Sequence, residues 1–384
     1  MKKSKKNKTF ALKRLKKVLK MEGMLTKVSE IRLGSLVSED VMGNTQFPLI
    51  DKGTKITREH LQVLNAFQIA KVKILYATSH NEDEVREEYV QQLEQTFNKP
   101  LAPFKRRYKE AVDLYKLEFQ SWEAGSKIDI PKLREVMLPL LEDVLRNRVR
   151  IFTLNEYSNA KDYLYNHAIS TSLIAAVIAQ KMNYVKGDVI QLAMAALVAD
   201  CGMSKISSKI RDKAGSLTKE EFAEIKMHPK ESLLMVKDLV LIKNNMKTAI
   251  FQHHERLDGS GYPCRSNGNT INIEAHVMAV ADIFHAMTCE RVYKRADSPF
   301  KVIEMIQQEE FGKFHIKPVQ ALLNCVADFG LGTNVELSNK SIGQIVFVNT
   351  NNPTRPVIKI AGFEETIDLS KNKSIYIEKI ITKE

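Results

Sequence analysis

The sequence predicts a mainly α-helical protein, with a small α+β module before the helical domain and a small β module after it. Apolar residues recur with the helical period through residues 141–333. Short runs rich in β-branched residues, separated by Gly, Pro and Asn turn signals, occupy 28–78 and 334–384. At 384 residues, the chain is long enough for two or three domains and a sizeable core.

The composition excludes several classes of protein. An apolar fraction of 44% is typical of a soluble globular protein, and no apolar run approaches the ~20 residues of a membrane-spanning helix. The four cysteines are far apart and form no CxxC pair, which argues against a zinc ribbon and for a reducing, cytoplasmic compartment. The net charge of +12 favours anionic partners without choosing among nucleotides, nucleic acid and acidic lipid.

The first segment, residues 1–27, is a basic tail. Its first twenty residues contain nine Lys, one Arg and no acidic residue, and they lack the apolar core of a signal peptide. Apolar residues such as Phe10, Leu15 and Val18 fall near helical spacing, which would suit an amphipathic helix on the anionic inner face of a membrane. A solvated basic tail is the other interpretation, and the sequence leaves both open.

The two segments that follow differ in character. In the N-terminal module, 28–78, β-rich runs surround one helix-like piece over 57–67, and Thr57 is suited to cap it. The next residues are charged and helix-favouring, and Pro100 and Pro103 interrupt them. We therefore interpret 79–140 as a helical linker.

The helical domain, 141–333, contains the most apolar helices of the chain. The runs 189–198 and 273–288 are almost entirely apolar and predict buried helices. Thr218 and Glu221 have the spacing of a capping box at the start of a further helix. After this domain, β-rich runs and an Asn-Pro turn signal predict the β module of 334–384.

The most informative stretch covers residues 251–263, where the sequence is FQHHERLDGSGYP. Two adjacent histidines end an apolar segment, and a loop with two glycines and a proline follows. Imidazole is the commonest side-chain ligand of transition metals, and glycine lets a backbone approach a ligand closely. A surface turn with a chance pair of histidines is the alternative, but other His and Asp residues of the helical region favour a metal site.

This stretch resembles the signature of the HD-GYP family, a branch of the HD metal-dependent phosphohydrolases, and the resemblance covers about 162–328. It implies an all-helical HD-type domain and a metal site whose ligands follow a fixed order along the chain. The residues that match this order are His167, Asp200, His228, His253, His254 and Asp282. Family members are typically cyclic di-GMP phosphodiesterases, so the resemblance implies that activity.

The resemblance also implies roles within the site. A carboxylate at the position of Asp200 bridges neighbouring metals in the family, so Asp200 is the expected catalytic residue. Imidazoles and carboxylates suit Fe(II) or Mn(II), and two ions ~3.5–4 Å apart can activate water and stabilise the leaving oxygen. One or two ions are expected here. Arg291 and Lys294 match the family's phosphate-binding residues, and Tyr262 would shape the same pocket.

The chain departs from the family at the HD dyad itself. The family motif HDxGK is ADCGM here, so Ala199 replaces the histidine and Met203 replaces the lysine. Alanine cannot ligate a metal, and methionine cannot hold a phosphate. Lys205 is two residues further on, which on a helix points about 200° away. Tyr163 stands where some members have a glutamate that accompanies a third metal, so a third metal is not expected.

A complete set of ligands for one metal survives these changes. It consists of Asp200, His228, His253 and His254. His167 and Asp282 remain for a weaker second metal, completed by water or substrate.

The sequence allows three candidate functions. The preferred one is a metal-dependent phosphodiesterase that hydrolyses cyclic di-GMP to linear pGpG in second-messenger signalling, with further cleavage to GMP left open. The alternative is a catalytically impaired protein that binds cyclic di-GMP and signals to a protein partner through its β modules. The third, an HD hydrolase of another nucleotide, is disfavoured by the Gly-Tyr-Pro loop. No nucleic acid polymer is expected as a partner. Ala199 and Met203 favour the receptor, and the six retained ligands favour the hydrolase.

Overall fold

The structure is a computed structural model that describes residues 24–75, 103–290, 296–308 and 312–381, apart from residues 32, 44–47, 68, 351 and 364. It divides the chain into two compact units, with the division after residue 101. The predicted basic tail lies almost entirely outside the described residues.

The first unit contains a small α+β module with a core of its own. Its elements are β1 (Met24–Lys27), β2 (Leu36–Val37), β3 (Val41–Met42), β4 (Pro48–Ile50), α1 (Arg58–Ala66) and β5 (Lys71–Leu75). β5 lies between β1 and β2 in an antiparallel sheet, and β3 pairs with β4. The Thr57 hydroxyl accepts a hydrogen bond from the His60 backbone N–H, which confirms the predicted cap of α1.

The second unit is built mainly from helices. The first are α2 (Phe104–Glu123), α3 (Ile130–Arg146), α4 (Tyr163–Lys181), α5 (Lys186–Leu197), α6 (Ser208–Arg211) and α7 (Lys219–Ile225). The others are α8 (His228–Val236), α9 (Asn244–Gln252), α10 (Ile273–Thr288), α11 (Pro299–Gln308) and α12 (Ile316–Val326). A short 3₁₀ helix, Cys201–Lys205, follows α5. The capping box of Thr218 and Glu221 at the start of α7 is confirmed.

The core of this unit surrounds α4, α5 and α10. These helices are apolar on nearly all sides, so they become stable only when other helices cover them. α2 and α3 contribute to the same core with residues such as Tyr108, Trp122 and Leu140. The segment 79–140 was expected to link domains, but its described helices belong to the helical unit. The charged face of α2 suggested a linker, but the residues on its opposite face are buried, so α2 belongs to the core of the helical unit.

The C-terminal module is an antiparallel sheet that packs on the helices. Its strands are β6 (Asn334–Leu337), β7 (Ile342–Phe347), β8 (Val357–Ile360), β9 (Thr366–Asp368) and β10 (Ile377–Ile381). Their order in the sheet is β10-β6-β7-β8-β9. The Ser298 hydroxyl donates to the Ile377 carbonyl at 2.5 Å, and the Arg355 Nε lies 2.6 Å from Glu304 Oε1 on α11.

One described segment, Lys186–Lys205, is long and apolar enough to cross a membrane by length and composition, contrary to the prediction that none would be. Two thirds of its apolar window, 67%, is buried inside the fold. This segment contains α5, and its apolar residues are buried as in the core helix of a globular domain.

Candidate metal centre

The predicted ligands converge where several helix ends meet near the start of α4 and the second half of α10. His167 lies in α4, Asp200 follows α5, His228 begins α8, His253 and His254 follow α9, and Asp282 lies in α10. Four of them, Asp200, His228, His253 and His254, place one ligand atom each within 4.8 Å of all the others. The structure thus brings together the set that the sequence singled out for one metal.

Asp200 is the centre of this cluster. The Nε2 atoms of His228 and His253 lie 3.1 and 3.3 Å from Asp200 Oδ1, and 3.5 Å from each other. Their Nδ1 atoms face backbone carbonyls, of Ile225 at 2.8 Å and Ile250 at 2.6 Å. Because a carbonyl oxygen only accepts, each Nδ1 carries the proton, and in the neutral ring Nε2 presents a lone pair.

This arrangement fits a divalent metal. Two imidazole lone pairs and a carboxylate oxygen, all acceptors, face one another at hydrogen-bond distance, and only a proton or a cation between them makes that favourable. When protons take the place of that cation, the pKa values of the cluster shift. Burial alone would raise the pKa of Asp200, but hydrogen bonds from His228 and His253 hold it well below its ordinary value. Burial lowers the pKa of His253, but Asp200 outweighs it and raises that pKa overall.

The remaining ligands form a second group beside the first. His167 Nε2 lies 2.8 Å from Asp282 Oδ1 and 3.7 Å from Asp200 Oδ2. His254 Nδ1 lies 3.6 Å from Asp282 Oδ2. Burial would raise the pKa of Asp282, but the hydrogen bond from His167 and the nearby His254 keep it below its ordinary value. Burial and the neighbouring His253 lower the pKa of His254 well below its ordinary value, so its ring is neutral and free to ligate.

A glycine makes the contact between Asp200 and His228 possible. Gly202 packs directly on the start of α8, where its N–H donates to the Ser232 hydroxyl at 2.8 Å. A Cβ at this position would lie 2.2 Å from the His228 carbonyl oxygen and 2.5 Å from the Ser232 nitrogen. Only glycine allows the two backbones to approach this closely.

We expect Gly202→Ala to lower the free energy of unfolding by ~1–3 kcal/mol, because backbone atoms must move to admit the methyl group. The shift would also part His228 from Asp200, so bound metal should fall. Gly187→Ala in α5 is the matched control. Nothing lies within 4 Å of a Cβ there, and alanine should stabilise the helix by up to ~1 kcal/mol. Urea unfolding followed by circular dichroism measures both, and equal stabilities would contradict the steric argument.

The loop after the histidines is held by a residue that the sequence interpretation did not single out. The buried Glu255 carboxylate accepts hydrogen bonds from the N–H groups of Cys264 at 2.7 Å and Ser266 at 2.9 Å. A Cβ on Gly261 would lie 2.4 Å from the His254 carbonyl oxygen, so this position also requires glycine. The loop brings the Tyr262 ring to 4.7 Å from the His254 ring, between centroids.

His285 is a second residue to which the sequence interpretation assigned no metal role. It lies one turn after Asp282 on α10, and its Nδ1 is 2.9 Å from Nδ1 of His167. Its Nε2 is 3.0 Å from the Cys289 sulfur. If His167 Nε2 offers its lone pair to a metal, its Nδ1 carries the proton and donates it to His285. His285 therefore acts as a positioning residue, and its spacing from Asp282 on a helix was the available signal.

We expect His285→Leu to weaken metal binding by ~10–100-fold, because it removes the acceptor that fixes the tautomer of His167. His285→Asn is the conservative control, since its amide oxygen can replace the lost acceptor, and it should restore most of the affinity. Titration of the metal-free protein with Mn²⁺ measures both. If the leucine and asparagine variants bind Mn²⁺ equally, His285 acts through packing alone.

The departures from the family pattern lie close to these ligands. Ala199 is buried at 4% exposure, and Met203 packs against the core. The Lys205 ammonium donates to the Trp122 carbonyl at 2.5 Å, so it is engaged elsewhere. Tyr163 stacks on the His167 ring at 5.3 Å. The predicted phosphate ligands Arg291 and Lys294 lie outside the described residues.

Comparison with protein families identifies the two parts of the second unit. A family model described as an HD domain matches residues 140–315. The helical domain therefore matches an HD domain over most of its length. A second model, described as a KOW domain associated with the HD domain, matches residues 334–384. The predicted fold class, an all-helical HD-type domain with small strand-rich modules on both sides, is confirmed.

Curated relatives carry names from cyclic dinucleotide signalling. A cyclic di-GMP phosphodiesterase of Pseudomonas aeruginosa is 24% identical over 63% of this chain and 58% of its own length. Cyclic di-GMP phosphodiesterase PdeB of Borreliella burgdorferi is 28% identical over 56% of each chain. The matched region is less than two thirds of either relative. An HDG"Y"P protein from Bdellovibrio bacteriovorus has a TM-score of 0.49 and 16% identity, covering 79% of this chain and 99% of its own. The match to the HD-domain model and the cyclic di-GMP phosphodiesterases among the relatives confirm the resemblance to the HD-GYP family.

Proposed function

We propose that this protein is a metal-dependent phosphodiesterase that hydrolyses cyclic di-GMP to linear pGpG. The observation that carries the proposal is the convergence of Asp200, His228 and His253 with their lone pairs directed at one point. A cation at this point would be stabilised by all three lone pairs. The names of the curated relatives supply the substrate class.

The reaction adds one water across a phosphodiester bond. A new P–O bond forms, the bond to a 3′-oxygen breaks, and that oxygen leaves with a proton. A bound divalent ion supplies activation of the water and withdrawal of charge from the phosphate. The protein's own part is to hold that ion with Asp200 and its histidines, while His167 Nε2 and Asp282 Oδ1 face each other at 2.8 Å beside it. The Tyr262 ring offers a face on which a guanine can stack.

Two further groups complete the proposed site. Arg291 and Lys294, which follow α10, would hold the phosphates of the substrate through charge-assisted hydrogen bonds. Fe(II) or Mn(II) are the ions that the donor set suits best, with one ion on the Asp200 cluster and a weaker one on His167 and Asp282. The β modules are the proposed surfaces for a signalling partner.

The decisive experiment combines metal analysis of the purified protein with a turnover assay. Cyclic di-GMP is incubated with added Mn²⁺, or with Fe²⁺ under anaerobic conditions, and pGpG and GMP are separated by chromatography. We expect metal-dependent formation of pGpG. Parallel assays with 3′,3′-cyclic GMP-AMP test whether another cyclic dinucleotide is preferred.

Metal content should respond to the ligands unequally. We expect His254→Ala to remove most of the bound metal, because it breaks the four-ligand set, and His167→Ala to remove less. His60→Ala, in the first unit, serves as the control and should leave the metal content unchanged. Elemental analysis of the three variants measures this, and equal metal in wild type and His254→Ala would refute the ligand assignment.

The alternative function is a receptor that binds cyclic di-GMP without cleaving it. It is favoured by the buried Ala199 and by Met203, which leave the HD dyad without its imidazole and its cation. Tight binding without any cleavage, even in saturating Mn²⁺, would establish the receptor and overturn the hydrolase.

A further inference from the structure

A cavity of about 440 Å³ lies beside the metal centre and has a cationic lining. The loop 259–263 forms one side of it, and the side chains of Lys226 and Arg265 contribute the charge. None of the residues that line it is acidic. A volume of this size is within the range of small-molecule sites, ~300–1,000 Å³.

Tyr262 joins this cavity to the metal centre. Its ring lines the cavity and lies 4.7 Å from the His254 ring and 6.2 Å from the His228 ring, between centroids. The Lys226 ammonium lies over the same tyrosine ring, 5.7 Å from its centroid. A ligand that spans the cavity and the metal centre would therefore pass along Tyr262.

The two cations differ from the other basic residues near the site. Neither Lys226 nor Arg265 pairs with a carboxylate among the residues that the structure describes. Arg256, in contrast, donates to the carbonyls of His253 and Glu255, and Lys205 donates to the Trp122 carbonyl. Among the described residues that line the cavity, Lys226 and Arg265 are thus available to an external anion.

We propose that Lys226 and Arg265 bind a phosphate of the guanine dinucleotide. The inference rests on the proposed function and adds a phosphate subsite to it on the Tyr262 side. The ligand group that fits these two cations is a phosphodiester or a phosphomonoester, because a guanidinium and an ammonium side by side both bind phosphate oxygens well. The contact forms in the enzyme–substrate complex as well as in the transition state. It therefore strengthens substrate binding and does not speed the chemical step.

The test is the double variant Lys226→Met with Arg265→Gln, which keeps unbranched side chains of somewhat shorter length and removes both charges. Lys230→Met with Arg134→Gln is the control, since these exposed residues lie outside the cavity and their loss changes the net charge equally. Calorimetric titrations use cyclic di-GMP and linear pGpG at two salt concentrations. Elemental analysis checks that metal content is unchanged.

We expect the double variant to bind both nucleotides ~10–100-fold more weakly than the control, with a smaller dependence on salt. In turnover assays, KM should rise while kcat changes little. A wild type that binds while the double variant matches the control would overturn this inference alone. A wild type that binds neither nucleotide would overturn the proposed function as well.

Discussion

Replacing Asp200 with asparagine should remove most of the bound metal and lower turnover of cyclic di-GMP at least ~100-fold. Asp200 is the acceptor shared by His228 and His253, at 3.1 and 3.3 Å, and no other carboxylate among the described residues contacts both. Asparagine has the same shape but no charge, so the cluster keeps its packing and loses its attraction for a cation. Elemental analysis and the chromatographic assay measure the two effects.

A second readout does not depend on catalysis. Mn²⁺ should raise the thermal midpoint of wild type, because an ion that binds only the folded state stabilises it, and the Asp200→Asn protein should respond much less. The matched control is Asp188→Asn on α5, whose carboxylate pairs with Lys243 outside the metal centre. If Asp200→Asn retains the metal and the shift of wild type, the cluster is not the metal centre.

Restoring the HD dyad should have the opposite effect. The double change Ala199→His with Met203→Lys should raise turnover of cyclic di-GMP by ~10–1000-fold, the range of one added ligand and one charged stabiliser. Substrate affinity should change much less. Because Ala199 is buried and Met203 packs against the core, the new side chains must also be accommodated.

The control for this repair is Ala199→Phe with Met203→Leu, which adds comparable bulk without a ligand or a charge. It should give no gain in turnover. The hydrolase predicts measurable metal-dependent activity in wild type and more in the repaired protein, whereas the receptor predicts activity only after repair. If the repaired protein gains neither metal nor activity, the site has diverged at more than these two positions.

Several features of this protein follow from the sequence alone. The apolar run 189–198 lies almost entirely in the buried α5, and Thr57 and Thr218 cap α1 and α7 as predicted. The β-rich runs 342–348, 357–360 and 374–381, from which the C-terminal module was predicted, coincide with β7, β8 and β10, whereas no such run marks β6 or β9. Periodicity and caps depend on residues within a turn or two of each other, so the sequence contains the whole signal. β6 and β9 are short, and each contains an acidic residue, so neither forms an apolar run like that of β8.

The tertiary structure alone decided how the metal centre is assembled. The order of the histidines and aspartates was available from the sequence, but the contact of His167 with His285 spans 118 residues and depends on how α4 packs against α10. The fit of Gly202 against α8 and the placement of α2 in the core depend likewise on neighbouring helices. Contacts between distant segments are set by packing, which leaves no local pattern in the chain.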